Sequence, residues 1–462
     1  MLSPTDPHPR AWRTWVGVVS GVLALAGAAV VWGGDAVRGG GMNPLTRFLV
    51  AVAVVLLVCH LCGELLRRLG QPPVLGEIVG GLLLGPSALG LASPGAQAWL
   101  FPSDVLVHLD RAAQLGLIVF MFLLGCELRT DALGGGGSRG RWVLGSVVAG
   151  SMGLPLLAGM GVALLSGGVL AGDGASFGSY VVFVGLALAI TALPVLGRIL
   201  VDLRMSHTPV GAISLSAAAI GDGLAWTVLA VILTASHHGG SWTMTAGLAV
   251  AFVLFVALCV RPALALLERW SARRGGDGEQ VLLGVLVVGA IACGAATEVI
   301  GLHPVLGAFL FGTAVPRGSV VVEQLSRRMR GFAVAVLLPL FFAGVGLKTS
   351  VGLLGSDPVS WLVLAGVLTA AVSAKLIGAG GGARLAGLPT RESLQIGTLM
   401  NCRGITELVV ATIGLQYGLI SPLGFTVLVL VAVITTAATG PLMRLVSGRE
   451  PKLVGQGLSD KR

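Results

Sequence analysis

Apolar residues run along this chain in unbroken blocks of Leu, Val, Ala and Gly, without the spacing of a surface helix or the alternation of a half-buried strand. Blocks about 20 residues long predict α-helices that are apolar on every side and cross a membrane. Fourteen can be marked: Trp15 to Gly33, Leu45 to Leu66, Val74 to Gly95, Ala112 to Leu128, Trp142 to Leu165, Gly178 to Leu196, Thr208 to Ala235, Met244 to Val260, Val281 to Ile300, His303 to Val315, Phe332 to Leu347, Pro358 to Gly378, Ser393 to Gly414 and Pro422 to Val446. The tenth and eleventh are short enough to be re-entrant pieces as well as full spans. A transmembrane β-barrel is disfavoured, because its strands read as short alternating segments.

Composition agrees with the pattern. Of 462 residues 55% are hydrophobic and 11% charged, whereas a soluble chain carries about 25% charged residues and a disordered one few hydrophobics. The net charge of +9 would suggest nucleic acid in a soluble protein; here Lys and Arg sit in short loops and report orientation. With a cytoplasmic amino terminus the inner loops hold Arg67 and Arg68, Arg198 and Arg204, Arg269 to Arg274 and Arg327 to Arg330, while the outer ones hold Arg38, Arg47, Arg111 and Lys348. An even number of spans then places both termini in the cytoplasm. The first segment, flanked by Trp12, Trp15 and Trp32, reads as a retained span rather than a signal peptide.

The chain therefore divides into residues 1–44, a cytoplasmic start with an extra helix; 45–446, the membrane domain; and 447–462, a short cytoplasmic tail. DALGGGGSRGR and ERWSARRGGDGEQ read as linkers, since no phosphate-binding strand surrounds their glycines. All six cysteines lie in or beside apolar segments and are expected to be reduced. Cys59, His60, Cys62 and Glu64 offer a zinc-like cluster that lacks a second ligand pair, so packing on a membrane helix is the better reading. No cofactor and no soluble catalytic domain is expected.

Ionisable groups deep in hydrocarbon cost about 2.5–3.5 kcal/mol each on insertion scales and are functional candidates. Asp222 in SAAAIGDGLAW lies near the middle of its span, Lys375 in VSAKLIGAGGG late in its own, and Arg403 with Glu407 in MNCRGITEL. Glu77, Glu127 and Glu298 lie closer to span ends, where reaching the interface explains them. Two spans read as interrupted helices. Pro194 in LALAITALPVLGRIL removes a donor and frees carbonyls around Ile190 and Thr191; Asn401, Arg403 and Gly404 break the thirteenth span in the same way. The two are seven spans apart, and a repeat of seven, an odd number, inverts its second copy, as in carriers with paired broken helices.

QPPVLGEIVGGLLLGPSALG, LGLIVFMFLLGCEL, ITALPVLGRIL, SAAAIGDGLAW, GLHPVLGAFLFGTAVPR, LLPLFFAGVGLKT and MNCRGITELVVATIGL follow one another in an order that resembles the monovalent cation/proton antiporter-2 family, from about Leu45 to Val446. It looks like a member without the nucleotide-binding regulatory domain of some relatives. The resemblance implies an all-α membrane protein of about fourteen spans with two inverted repeats, crossed broken helices, interleaved dimerisation and core parts, and a homodimer. It also implies that Asp222 binds the cation and carries the proton and that Thr191 helps to ligate Na+ or K+. Lys375 then matches the family's basic residue on the opposing helix, and Arg403 with Glu407 the charged pair of the second broken helix. One position departs: Gly221 stands where the family commonly has Asp, Asn or Gln, so the usual partner of Lys375 is missing.

The function expected is exchange of a monovalent cation for protons by alternating access across a bacterial cytoplasmic membrane, electroneutral because one acid serves both ions. Lys375 is expected to approach Asp222 or Glu407, or to be neutral. Arg403 and Glu407, four apart on a helix, fit a structural pair as well as a gating one. A gated cation channel would favour a continuous polar pore, and an intramembrane aspartyl protease needs a second carboxylate, whereas Asp104, Asp131, Asp202 and Asp357 fall in loops.

Overall fold

A computed structural model describes residues 43–127, 138–174, 176–203, 205, 208–236, 242–316 and 320–447. The predicted first span, the tail and most of the glycine-rich loop lie outside the described residues. Helices account for nearly all of the rest. In chain order they are α1 Pro44–Arg68, α2 Pro73–Leu84, α3 Ser103–Glu127, α4 Ser138–Leu165, α5 Phe177–Ala189, α6 Leu193–Asp202, α7 Pro209–Ser236 and α8 Trp242–Phe255. The second half adds α9 Arg261–Arg274, α10 Gly276–Ile300, α11 Pro304–Ala314, α12 Val320–Phe332, α13 Leu338–Lys348, α14 Pro358–Leu385, α15 Thr390–Leu399, α16 Ile405–Gln416 and α17 Pro422–Ser447. Among the described residues ten helical stretches are long and apolar enough to cross a membrane, so this count alone does not reach the fourteen segments of the sequence. The difference lies partly in α11, which is short, and in α5/α6 and α15/α16, two segments each divided by a break.

Several boundaries move outward. The apolar block ending at Val260 continues through a π-turn, Val256–Val260, into the charged helix α9, so ERWSARR is helical and the chain reverses at Gly275, whose φ of 65° a side chain would resist. Basic residues in the last turn suit the negative end of that helix. Likewise α14 runs to Leu385, which moves Lys375 from near a helix end to well inside one. Helix length follows hydrogen bonding, and apolarity alone understates it where a span enters the interface.

Two copies of one plan are visible in the order and packing. The hairpin α1/α2 resembles α10/α11: both second helices open with Pro-Val-Leu-Gly, and Gly76 and Gly307 lie against the backbone at Cys62 and Cys293. Helix α11 packs on α3 while α2 packs on α13. Helix α4 packs on α14, where Gly150 and Gly378 face each other so closely that an added Cβ would meet carbonyl oxygen at 2.0–2.1 Å. Small residues at this crossing permit backbone approach, the usual means of joining helices in a membrane. Each copy then has a broken helix and a final span, α7 or α17. The helices form two groups: α1–α3 with α10–α13, and α4–α7 with α14–α17. The cysteines of CHLCGE serve packing, since Cys59 is buried and its thiol donates to Pro339 O at 3.8 Å, while Glu64 pairs with Arg67 and Arg68.

Candidate functional site

The polar centre lies where the broken helices cross inside the second group. Helix α5 ends at Ala189, and Ile190 and Ala192 are extended, so the last carbonyls of α5 lose their helical partners. Pro194 sits in the first turn of α6, where a missing N–H costs nothing; the freed carbonyls are Ala187 to Ala189, slightly earlier than the sequence suggests. Two fully buried cations take them. Arg403 donates from Nη1 to Ala187 O at 3.1 Å and from Nη2 to Leu188 O at 2.7 Å. Lys375 Nζ donates to Ala189 O, to Ser151 O at 3.0 Å and to Thr191 Oγ1 at 2.7 Å. Positive charge at the carboxyl end of a helix also meets the negative end of its dipole.

The second break is pinned differently. Asn401 donates from Nδ2 to Gly397 O at 3.3 Å and so caps α15 with a neutral group. Ala192 N–H reaches Cys402 O at 3.0 Å, joining the two extended segments, and Thr191 Oγ1 donates to Met400 O at 3.1 Å. Thr436 on α17 accepts from Arg403 N–H at 3.0 Å and donates back to Arg403 O. Gly404 begins α16 where a Cβ would lie 2.7 Å from Val195 of the first broken helix. Glu407, in the first turn of α16, accepts from Arg403 at 2.8 Å, and both side chains are fully buried.

Asp222 stands apart from this lattice. It is 1% exposed, and neither carboxylate oxygen has a hydrogen-bond partner among the described residues. One turn before it, Ala218 packs in a cluster with Ala192, Leu399, Met400 and Cys402 of the crossing, while Ala225 and Trp226 after it belong to the large central core. The carboxylate thus lies on the seam between two apolar clusters, beside the crossing. A free buried carboxylate is costly, and a proton or a small cation would relieve the cost. At the second break Asn401 Oδ1, Thr406 Oγ1 and Glu407 Oε2 are likewise buried without partners among the described residues, oxygen atoms of the type a hard cation takes.

The structure brings together every residue the sequence singled out, Asp222, Thr191, Lys375, Arg403, Glu407, Asn401 and the Pro194 turn, but it alters two relationships. Lys375 bonds neither Asp222 nor Glu407. With the Thr191 proton on Met400 O, all three neighbours of Nζ are acceptors, a shell that an ammonium can fill. Thr191 Oγ1 is correspondingly held by Lys375 and Met400. In place of an acid at 221, the side chain of Met152 fills the space, 3.3 Å from where a Cβ would be. Thr436 and Thr406 escaped the sequence reading, because threonines are common in this chain and no charge or break marks these two.

Residues 50–446 match the family described as sodium/hydrogen exchanger, transmembrane. The Na+/H+ antiporter NhaS4 of Synechocystis is 34% identical over 409 residues, covering 87% of this chain and 97% of the relative. Cation/H+ antiporter 20 of Arabidopsis thaliana is 35% identical over 439 residues, 90% of this chain and 50% of the relative. The chain thus spans about half the length of the plant relatives it matches. Among solved structures the sodium proton antiporter MjNhaP1 of Methanocaldococcus jannaschii superposes with a TM-score of 0.60 at 14% identity, covering 88% of this chain and 97% of that one, a likeness of fold.

Proposed function

The chain belongs to the sodium/hydrogen exchanger family, and from that premise we propose that it exchanges Na+ or K+ for protons through Asp222. The observation that carries the reading is a buried carboxylate with no hydrogen-bond partner among the described residues, beside two crossed helix breaks. One carboxylate holds a proton or a small cation in turn, and that competition couples the two fluxes once the site opens alternately to each side. The group α4–α7 with α14–α17 is the moving core and the group α1–α3 with α10–α13 the dimerisation part of a homodimer. Both termini face the cytoplasm of a bacterial cell, and the arginine-poor ends of the helices face outward. Dequenching of a pH dye in proteoliposomes after addition of sodium or potassium tests the exchange; neither ion giving a response above protein-free vesicles would end it.

With Gly221 in place of a second acid, the ratio is one cation per proton and no net charge moves. Each elementary charge feels about 2.3 kcal/mol per 100 mV, so an electrogenic cycle responds strongly to voltage. The cation gradient reached at equilibrium is expected to be the same with and without a valinomycin-imposed potential; a shifted endpoint means a different ratio.

Lys375 acts in this scheme as a support. Lys375→Gln loses charge-assisted bonds to Ala189 O at the end of α5, to Ser151 O on α4 and to Thr191 Oγ1 in the break, each of about 1.5–3 kcal/mol, and is expected to lower the melting temperature and folded yield. Because no hydrogen bond with Asp222 is broken, the loss is expected to show first in stability rather than in the pH profile of the surviving activity. A displaced profile at normal yield would show that Lys375 competes directly with the transported ions.

A further inference from the structure

At the arginine-poor ends of the helices, the two groups meet around a small cavity of about 20 Å³, its wall mostly apolar but reached by Asp110, Gln114, His303, Lys348, Thr412 and Gln416. That volume admits a single water. Asp110 accepts from Lys348 and from Gln114, at 2.9 Å for the latter, and all three belong to the first group. His303, just before α11, is 6% exposed and crosses the boundary: its Nε2 lies 3.1 Å from Oε1 of Gln416, in the last turn of α16. Its other nitrogen is committed. Nδ1 lies 3.3 Å from Val305 N–H, which only donates, so Nδ1 accepts and the ring proton is on Nε2, where it is donated to Gln416.

We propose that His303 and Gln416 form the outer latch of the carrier, a positioning pair that holds the core against the dimerisation group only while the imidazole is neutral. The proposal rests on the exchange reading above for its meaning, and on geometry for its mechanism. Helix α16 carries Glu407 in its first turn and Gln416 in its last, about 13 Å apart along a rigid helix. Holding Gln416 therefore holds the crossing beside Asp222. Two further bonds between the groups, Ser350 N–H to Thr426 Oγ1 at 3.3 Å and Gln71 Nε2 to Ala437 O at 3.2 Å, involve no titratable side chain.

A proton on Nδ1 places a second N–H against Val305 N–H, removes the cap of α11 and leaves a cation in a buried site. The groups facing the ring bear on the outcome. Asp110 is already paired with Lys348, the uncharged Tyr417 ring lies tilted by 54° with its centroid 6.4 Å away, and Glu298 on α10 is exposed. An imidazolium is thus better solvated once the groups part. The sign follows: the neutral ring favours the latched state, and acidification of the outer face below the ordinary imidazole value of about 6.5 favours release.

The test is a distance measured independently of transport. Nitroxides at Val107→Cys on α3 and Leu165→Cys on α4, at the same face and both exposed, report the two groups by pulsed electron resonance, with Cys62, Cys126 and Cys259 replaced by alanine. With excess unlabelled protein added before reconstitution, so that a dimer carries at most one labelled protomer, a single distance is expected at pH 7.5, and at pH 5.0 a second, longer one. His303→Gln keeps a donor toward Gln416 but does not titrate, and it should show the single distance at both pH values. His303→Ala should show the longer distance already at pH 7.5. A distribution in the unsubstituted protein that ignores pH, or a His303→Gln protein that responds as strongly, overturns the latch. Absence of cation-driven proton flux in vesicles would count against the exchange reading alone and leave these distances to decide the latch.

Discussion

Asp222→Asn is expected to abolish cation-driven proton movement while the protein still inserts and folds. The substitution keeps the shape of the side chain and removes its ability to bind and release a proton near neutrality. Its effect on folding should be slight, because the carboxylate makes no hydrogen bond or ion pair with the described residues that the amide would break. That combination separates Asp222 from the other buried charges. Normal elution in size-exclusion chromatography together with no dye response is the predicted result, and appreciable sodium- or potassium-driven flux by the variant would remove Asp222 from the mechanism.

Arg403→Ala should have the opposite character, a large loss of stability that precedes any question of transport. It releases the Ala187 and Leu188 carbonyls and leaves Glu407 buried without its partner. Removing one member of a buried pair costs about 3–5 kcal/mol, a large share of a typical stability of about 5–15 kcal/mol. We expect little monodisperse protein in thermal-shift and size-exclusion measurements. Arg403→Lys should recover only part, since an ammonium cannot span two carbonyls and a carboxylate with the fork of a guanidinium. Replacing both Arg403 and Glu407 by leucine removes the stranded charge as well, so the double variant should be more stable than Arg403→Ala alone. A single variant that melts with the unsubstituted protein would show that the pair is dispensable to the crossing.

What the sequence made legible was whatever hydrocarbon makes expensive. Asp222, Lys375, Arg403 and Glu407 stood out because charges inside long apolar blocks need a reason, and the breaks stood out through Pro194 and the run from Asn401 to Gly404. Direction of bonding was not legible. Nothing in the sequence distinguishes a lysine that faces an acid from one that caps the carboxyl end of a helix from a neighbouring helix, and the acceptors concerned, Ser151 O and Ala189 O, are backbone atoms that any residue supplies. Helix ends are hidden in the sequence for a related reason. The stretch Arg261–Arg274 is charged and amphipathic, and it continues a membrane helix through hydrogen bonds that an apolar pattern does not record. His303 reads as part of an apolar motif, since its partner Gln416 lies on a helix far along the chain.

A single carboxylate that is occupied by a proton or by a cation, never both, shows itself in binding without any gradient. Purified protein in dilute buffer, at a pH where part of the Asp222 population is protonated, should release protons when sodium or potassium chloride is added. Choline chloride at the same ionic strength should release none, and Asp222→Asn should be silent with every salt. The release, extrapolated to the pH at which it is largest, is expected to approach and not exceed one proton per chain. No release by the unsubstituted protein, an equal release by Asp222→Asn, or a limit near two would contradict exchange at a single shared site.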